Sequence, residues 1–170
     1  MSQLAETMGS AIKAITIKTG KYLTFTLAEE EYGIGILKVK EIIGMMAITT
    51  VPRTPEFVKG VINLRGKVIP IIDLRLRFNM EAIPYSDRTC IIVVEIDSDK
   101  ATVLIGIVVD AVSEVLNIRE DEIEDTPKFG TRLNTEYILG MAKIQKGVKI
   151  LLNIDQVLSS EEITTLKKVS

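Results

Sequence analysis

No apolar run in this chain is long, and that limits its fold more than any other property. The segments Tyr22–Leu27 (YLTFTL), Gly60–Leu64 (GVINL), Lys67–Ile72 (KVIPII), Thr89–Ile96 (TCIIVVEI), Ala101–Val109 (ATVLIGIVV), Val112–Ile118 (VSEVLNI), Tyr137–Ile144 and Val148–Ile154 are short and separated by turn-forming or charged residues. Their valine and isoleucine content favours pleated strands, where a branched side chain packs at little rotameric cost. Many short strands with little room between them for long helices predict small barrels rather than a layered parallel sheet. Ala101–Val109, the longest charge-free apolar stretch in the middle of the chain, is about half of a membrane span.

The connections support this reading. Arg65-Gly66 sits between two strand candidates as a tight turn, with Gly66 supplying a positive φ. Asp73 stands where a helix N-cap belongs, ahead of Leu74–Phe78. Asp97-Ser98-Asp99-Lys100 and Lys146-Gly147 read as further hairpin turns, and Glu29–Glu31 as a polar turn. Leu37–Ile43 fits a helical face or a strand equally well, and Pro52 and Pro55 end any long element there. Asp155 or Ser160 is expected to cap a closing helix in which Ile163, Leu166 and Val169 recur at helical spacing.

The chain also repeats itself. At one fixed offset Gly33, Ile34, Val39 and Glu41 meet Gly106, Ile107, Val112 and Glu114, while Ile36, Ile42 and Ile43 meet Val109, Val115 and Leu116. A glycine-led strand pair ending in aspartate follows each copy, Gly60 to Asp73 and Gly140 to Asp155, the second with a gap of a couple of residues. The recurrence predicts two related β-subdomains, and a groove between such halves is a common place for a ligand or partner.

Several chemistries are excluded or weakened. The 170 residues contain no histidine, which removes the usual general base, the Ser/His and Cys/His pairs and the commonest zinc ligand. Lysine and arginine (21) nearly balance aspartate and glutamate (23), leaving no basic excess for nucleic acid. Cys90, the single cysteine, rules out an intrachain disulfide and reads as a buried structural thiol. The run Glu120–Asp125 lacks the glycine and ligand spacing of a calcium loop and reads as a solvated face. No secretory signal is visible, so the expectation is a soluble cytosolic protein with no metal or cofactor. A small enzyme working through carboxylates or Cys90 is the rival from another class.

The stretch VKGVINLRGKVIPII (58–72) places Gly60, Gly66 and Lys67 in a pattern that suggests a phosphate loop. Five residues separate its glycines where a P-loop has four, Val68 supplies no hydroxyl for magnesium, and a strand follows where a helix is required. The glycines therefore serve the backbone. Gly60 leads a strand and could let another chain approach closely. Arg65, beside the turn, is either a solvated arginine or half of an ion pair.

Glu56–Arg75 (EFVKGVINLRGKVIPIIDLR) resembles the signature of the CheW family of bacterial chemotaxis coupling proteins. So do Tyr32-Gly33-Ile34 with Val39-Lys40-Glu41-Ile42, Gly106–Val115, and Tyr137–Gly140 before a lysine-rich turn. The likeness runs in family order from about Lys21 to Ile163, leaving 1–20 as an N-terminal extension and 164–170 as the end of a C-terminal helix. It implies a mainly β fold of two intertwined five-stranded SH3-like barrel subdomains with short helices, and no catalysis. It also implies partners: the cytoplasmic tip of chemoreceptors and the regulatory domain of the histidine kinase CheA. That regulatory domain itself resembles these proteins, so the two can pair and alternating copies can close rings beneath a membrane receptor array, with contacts between coupler copies also possible. Carried over by position, the receptor-binding groove would involve Val39, Glu41, Gly60, Arg65, Val112 and Val115. Glu41 and Arg65 would form an ion pair shaping it, and a side chain at Gly60 would intrude on the partner surface. A coupler of a surface-motility or other non-flagellar pathway is the alternative within the same fold.

Overall fold

The computed structural model describes residues 20–97, 102–125, 137–145 and 147–169, and these form eleven strands in two sheets. The first half contributes β1 (Gly20–Leu27), β2 (Glu30–Gly35), β3 (Val39–Gly44), β4 (Val58–Leu64) and β5 (Lys67–Asp73). The second contributes β6 (Cys90–Asp97), β7 (Thr102–Val109), β8 (Ala111–Ile118), the two-residue β9 (Ile123–Glu124), β10 (Ile138–Ile144) and β11 (Gly147–Leu152). One sheet runs β8-β1-β2-β11-β10-β9 and the other β3-β6-β7-β5-β4. The expected five strands per subdomain thus become five and six, because two residues after the acidic turn pair with β10.

The halves exchange strands. Hairpin β1–β2 is inserted between β8 and β11, and hairpin β6–β7 between β3 and β5. Each exchange creates one parallel pair in an otherwise antiparallel sheet, β2 with β11 and β5 with β7. The repeated glycines lie in these pairs: Gly33 opposite Leu151, Gly106 opposite Ile71. A Cβ on Gly106 would fall 2.6 Å from Ile71 Cδ1 and 2.7 Å from Ile91 Cγ2, and one on Gly33 would fall 3.1 Å from Leu151 Cδ2. The shared glycine thus has a packing cause in both halves.

Strands such as β6 are apolar almost throughout because both faces are covered. Ile92, Val94 and Ile96 join Leu23, Phe25, Leu27 and Ile34 in a core shared by the two sheets, while Ile91 and Val93 enter a separate cluster with Ile62, Ile69, Ile71 and Val108. Tyr22, Ile118, Ala142 and Leu151 form the matching cluster of the other sheet. Each fully buried isoleucine or leucine contributes about 1.5–3 kcal/mol by leaving water, so three layers of them hold the intertwined arrangement.

The second strand pairs correspond more closely than the sequence suggested. Asp73 N–H donates to Phe57 O at 2.8 Å and Asn153 N–H to Tyr137 O at 2.8 Å, in equivalent positions after a glycine-bearing bulge. Asn153, not Asp155, is therefore the counterpart of Asp73, and no gap is needed. Both side chains cap the following turn: Asp73 accepts from Arg75 and Leu76 N–H, Asn153 from Asp155 N–H.

Asp73 and the four-residue helix Leu74–Arg77 agree with the reading above. Leu37–Ile43 resolves into a 3-10 turn, Ile36–Lys38, followed by β3. The polar turn after β1 is shorter than expected, because Glu30 and Glu31 already belong to β2. Neither expected residue caps the closing helix Ser160–Val169. Ser159 does, in a reciprocal box in which Glu162 N–H donates to its hydroxyl at 3.1 Å and its own N–H donates to the Glu162 carboxylate at 2.7 Å. Asp155 instead receives Lys38, which also reaches Asp97. Ile163 and Leu166 are buried in the shared core. Residues 1–19, 98–101, 126–136, Lys146 and Ser170 lie outside the described residues.

Candidate protein-docking site

The hairpin tip between β4 and β5 has a left-handed backbone at two successive residues, Arg65 (φ 51°) and Gly66 (φ 85°). That is a primed two-residue turn, whose twist matches the flanking strands. Glycine takes the conformation freely; arginine does so at a cost. Asn63 fixes the tip by accepting the Gly66 N–H on Oδ1 at 2.8 Å. Gln145 (φ 56°) occupies the same place in the β10–β11 hairpin.

Arg65 forms a two-pronged ion pair with Glu41: Nη1 donates to Oε1 at 2.9 Å and Nη2 to Oε2. The hydrogen bond from Arg65 holds the Glu41 carboxyl below the usual carboxylate range and in turn raises the guanidinium. Arg65 is 71% exposed, so the pair presents a fixed planar charge to solvent. Glu41 lies on β3, one edge of its sheet, and Arg65 at the hairpin on the opposite edge. The sheet therefore curls until its edges face each other, and Thr49 bridges to Val61 of β4 in the same region.

Bulges place the neighbouring valines. In β3, Val39 pairs with Val94 and Glu41 with Val93, leaving Lys40 as the extra residue. In β8, Val112 pairs with Phe25 and Val115 with Leu23, so two residues face Thr24. The irregularities fall at equivalent points of the repeat and re-aim the side chains beside them. Val39 and Val112 are half-buried against the shared core. Val115 is 50% exposed, and so, at 44%, is its repeat partner Ile42.

The structure thus brings Glu41 and Arg65 into contact, sets Val39 and Val112 against one core, and leaves Val115 outside it. Gly60 differs from expectation. It is buried, and a Cβ there would lie 2.0 Å from the Thr49 carbonyl oxygen, with φ at +140°. The chain that approaches Gly60 is its own, so a side chain there would collide internally before meeting a partner. Gly140 repeats the arrangement against the Glu124 carbonyl at 2.9 Å. Cys90 is half-buried rather than buried, opening β6 with its thiol directed to the Arg88 carbonyl at 3.3 Å. The acidic run begins as a 3-10 turn, Glu120–Glu122, and Arg119 pairs with Asp121 and Glu122.

Sequence reasoning missed Ile42 as an exposed apolar residue, although its match to Val115 in the repeat was a usable signal. It also missed Asn63 and Thr24. Thr24 is fully buried, donates to Glu114 O at 2.8 Å and accepts Glu114 N–H at 3.2 Å. A threonine in an apolar alternation gives no sign of a partner so far away in the chain.

Residues 21–162 match the family model described as a CheW-like domain. The chain is 43% identical over 150 residues to the chemotaxis protein CheW of Klebsiella aerogenes, covering 88% of each. It is 34% identical to the chemotaxis protein CheW of Rhizobium meliloti, covering 91% of this chain and 97% of that one. The fold is similar to the crystal structure of the scaffolding protein TtCheW from Thermoanaerobacter tengcongensis. That comparison has a TM-score of 0.74 and 39% identity, and covers 85% of this chain and 95% of the other.

Proposed function

We propose that this chain, which belongs to the CheW-like family, couples the cytoplasmic tip of chemoreceptors to the histidine kinase CheA and lets receptors control kinase activity. CheW-like proteins are non-enzymatic scaffolds, so the work is done by surfaces held in place. The observation that carries the reading is the Arg65–Glu41 pair. A left-handed turn, the Asn63 brace and a bulged edge strand fix a planar charge before any partner arrives. Half-buried Val39 and Val112 and exposed Val115 provide aliphatic surface of the kind that meets an amphipathic helix, as a receptor tip would offer. Gly60 serves this surface from beneath by letting the Thr49 segment pack against β4.

A second surface would take the regulatory domain of the kinase, and contacts between copies would extend the assembly into rings. No described helix is long and apolar enough to cross a membrane, so attachment to a receptor array would run through the receptor.

The test is a pull-down with separate receptor-tip and kinase fragments. Arg65→Ala and Val39→Asp should each lose the receptor fragment while keeping the fold. Unchanged capture by both variants would remove the groove assignment, and capture of neither fragment by the unmodified protein would remove the coupling role.

A further inference from the structure

The two halves place a glutamate at the same point of equivalent bulged edge strands but treat it differently. Glu41 on β3 is neutralised by Arg65; the residue at the matching hairpin position of the second half is Gln145, which carries no charge. Among the described residues, the Glu114 carboxylate receives neither a hydrogen bond nor an ion pair, and the residue is exposed. Among the described residues, Lys143 pairs with Glu124, Lys149 with Glu31, and Arg119 with Asp121 and Glu122. Lys21 sits opposite Asn117, towards the other end of β8.

The backbone that carries this open carboxylate is nevertheless fixed. Thr24 takes both backbone groups of Glu114 into hydrogen bonds, whereas its counterpart in the first half, opposite Glu41, is Val93. A buried hydroxyl is thus spent on the glutamate that lacks an arginine. The bulge also breaks the strand's alternation, so that Ser113, Glu114 and Val115 are exposed in succession on a strand that, among the described residues, ends its sheet.

We infer that Glu114 is the specificity residue of the receptor-facing surface. It accepts an arginine or lysine of the receptor tip helix, while Val115 receives a neighbouring aliphatic side chain. The inference rests on the reading that β8 faces the receptor, and it adds the charge the receptor must bring. Charge complementarity selects this occupant: in the second half the partner supplies the cation that Arg65 supplies in the first. Thr24 acts as a positioning residue through the Glu114 backbone.

The experiment titrates a labelled receptor-tip fragment with the full chain at low and high salt, for wild type, Glu114→Gln, Glu114→Lys, Thr24→Val and Thr24→Ser, beside Arg65→Ala and Val39→Asp. Glu114→Gln should weaken binding about fivefold and flatten its salt dependence, and Glu114→Lys should weaken it more than about tenfold. Thr24→Val should copy the flattened salt response and Thr24→Ser restore it, which a purely structural role for Thr24 would not produce. Glu114 is exposed, so its variants carry the test even if Thr24→Val fails to fold. Wild-type affinity in both Glu114 variants, with binding lost in Arg65→Ala and Val39→Asp, would overturn the inference and leave the receptor reading standing. Binding kept by all the groove variants would overturn the receptor reading itself.

Discussion

Arg75 grips Asp110 with two nitrogens, Nε on Oδ1 at 2.7 Å and Nη2 on Oδ2 at 2.6 Å, and the same Oδ2 accepts the Ala28 N–H at 2.8 Å. Three connections meet there: the helix after β5, the corner between β7 and β8, and the left-handed turn after β1 at Ala28 (φ 56°). Both halves of the duplicated chain are tied at one point, beside the strand that carries Val112 and Glu114.

Breaking this clamp should therefore loosen both sheets. Asp110→Ala leaves a largely covered guanidinium without its carboxylate and should cost about 2 kcal/mol, between the values of exposed and fully buried pairs. Asp110→Asn, which retains an acceptor for Ala28 N–H, should lose less. Urea unfolding of the two variants tests the order, and equal stability of Asp110→Ala and wild type would contradict it.

Glycines with different neighbours should respond differently to alanine. Gly60→Ala drives a Cβ into the Thr49 carbonyl at φ +140° and should cost more than about 3 kcal/mol, strain and collision together. Gly66→Ala meets open space at φ +85° and should cost about 1 kcal/mol from strain alone. The ratio of the two losses, read from denaturation midpoints, checks whether Gly60 is an internal packing requirement.

Glu41 should titrate below the ordinary carboxylate range because Arg65 hydrogen-bonds its charged form. A carboxyl with a lowered folded-state pKa contributes its stabilisation above its unfolded value and loses it as pH falls through the folded value. The pair should accordingly survive mild acid. Carboxyl-carbon NMR on wild type and Arg65→Ala measures this, with Glu41 returning to the ordinary range in the variant.

Alkali should act most strongly through two of the three tyrosines whose phenols burial raises, Tyr22, Tyr32 and Tyr85. Burial raises the Tyr22 phenol to about 12 and raises Tyr85 still further, with the adjacent Asp73 charge adding to the effect. For a raised folded-state pKa the stabilisation is complete below the unfolded value near 10 and is lost as pH rises through the folded value. Ultraviolet titration should show both phenols ionising late, and stability should fall above about pH 10. Tyr85→Phe should remove part of that alkaline fall.

Ser159→Ala removes the hydroxyl of the capping box and should cost about 1 kcal/mol. Amide exchange should quicken first in the opening turn of Ser160–Val169, while β6 and β7 keep their protection.

Much of this was legible in the chain. Short branched runs specified strands, Gly66 and Asp73 marked a turn and a cap, and the repeat of Gly33, Val39 and Glu41 in Gly106, Val112 and Glu114 announced two related halves. These signals are local, set by backbone freedom and by which face each residue presents. The exchange of hairpins between the halves, the bulge stitched by Thr24, the internal reason for Gly60 and the choice of Ser159 over Ser160 were decided by tertiary structure alone. Strand partners and register are selected by three-layer packing between distant residues, and a one-residue shift there changes which groups meet without altering the local pattern.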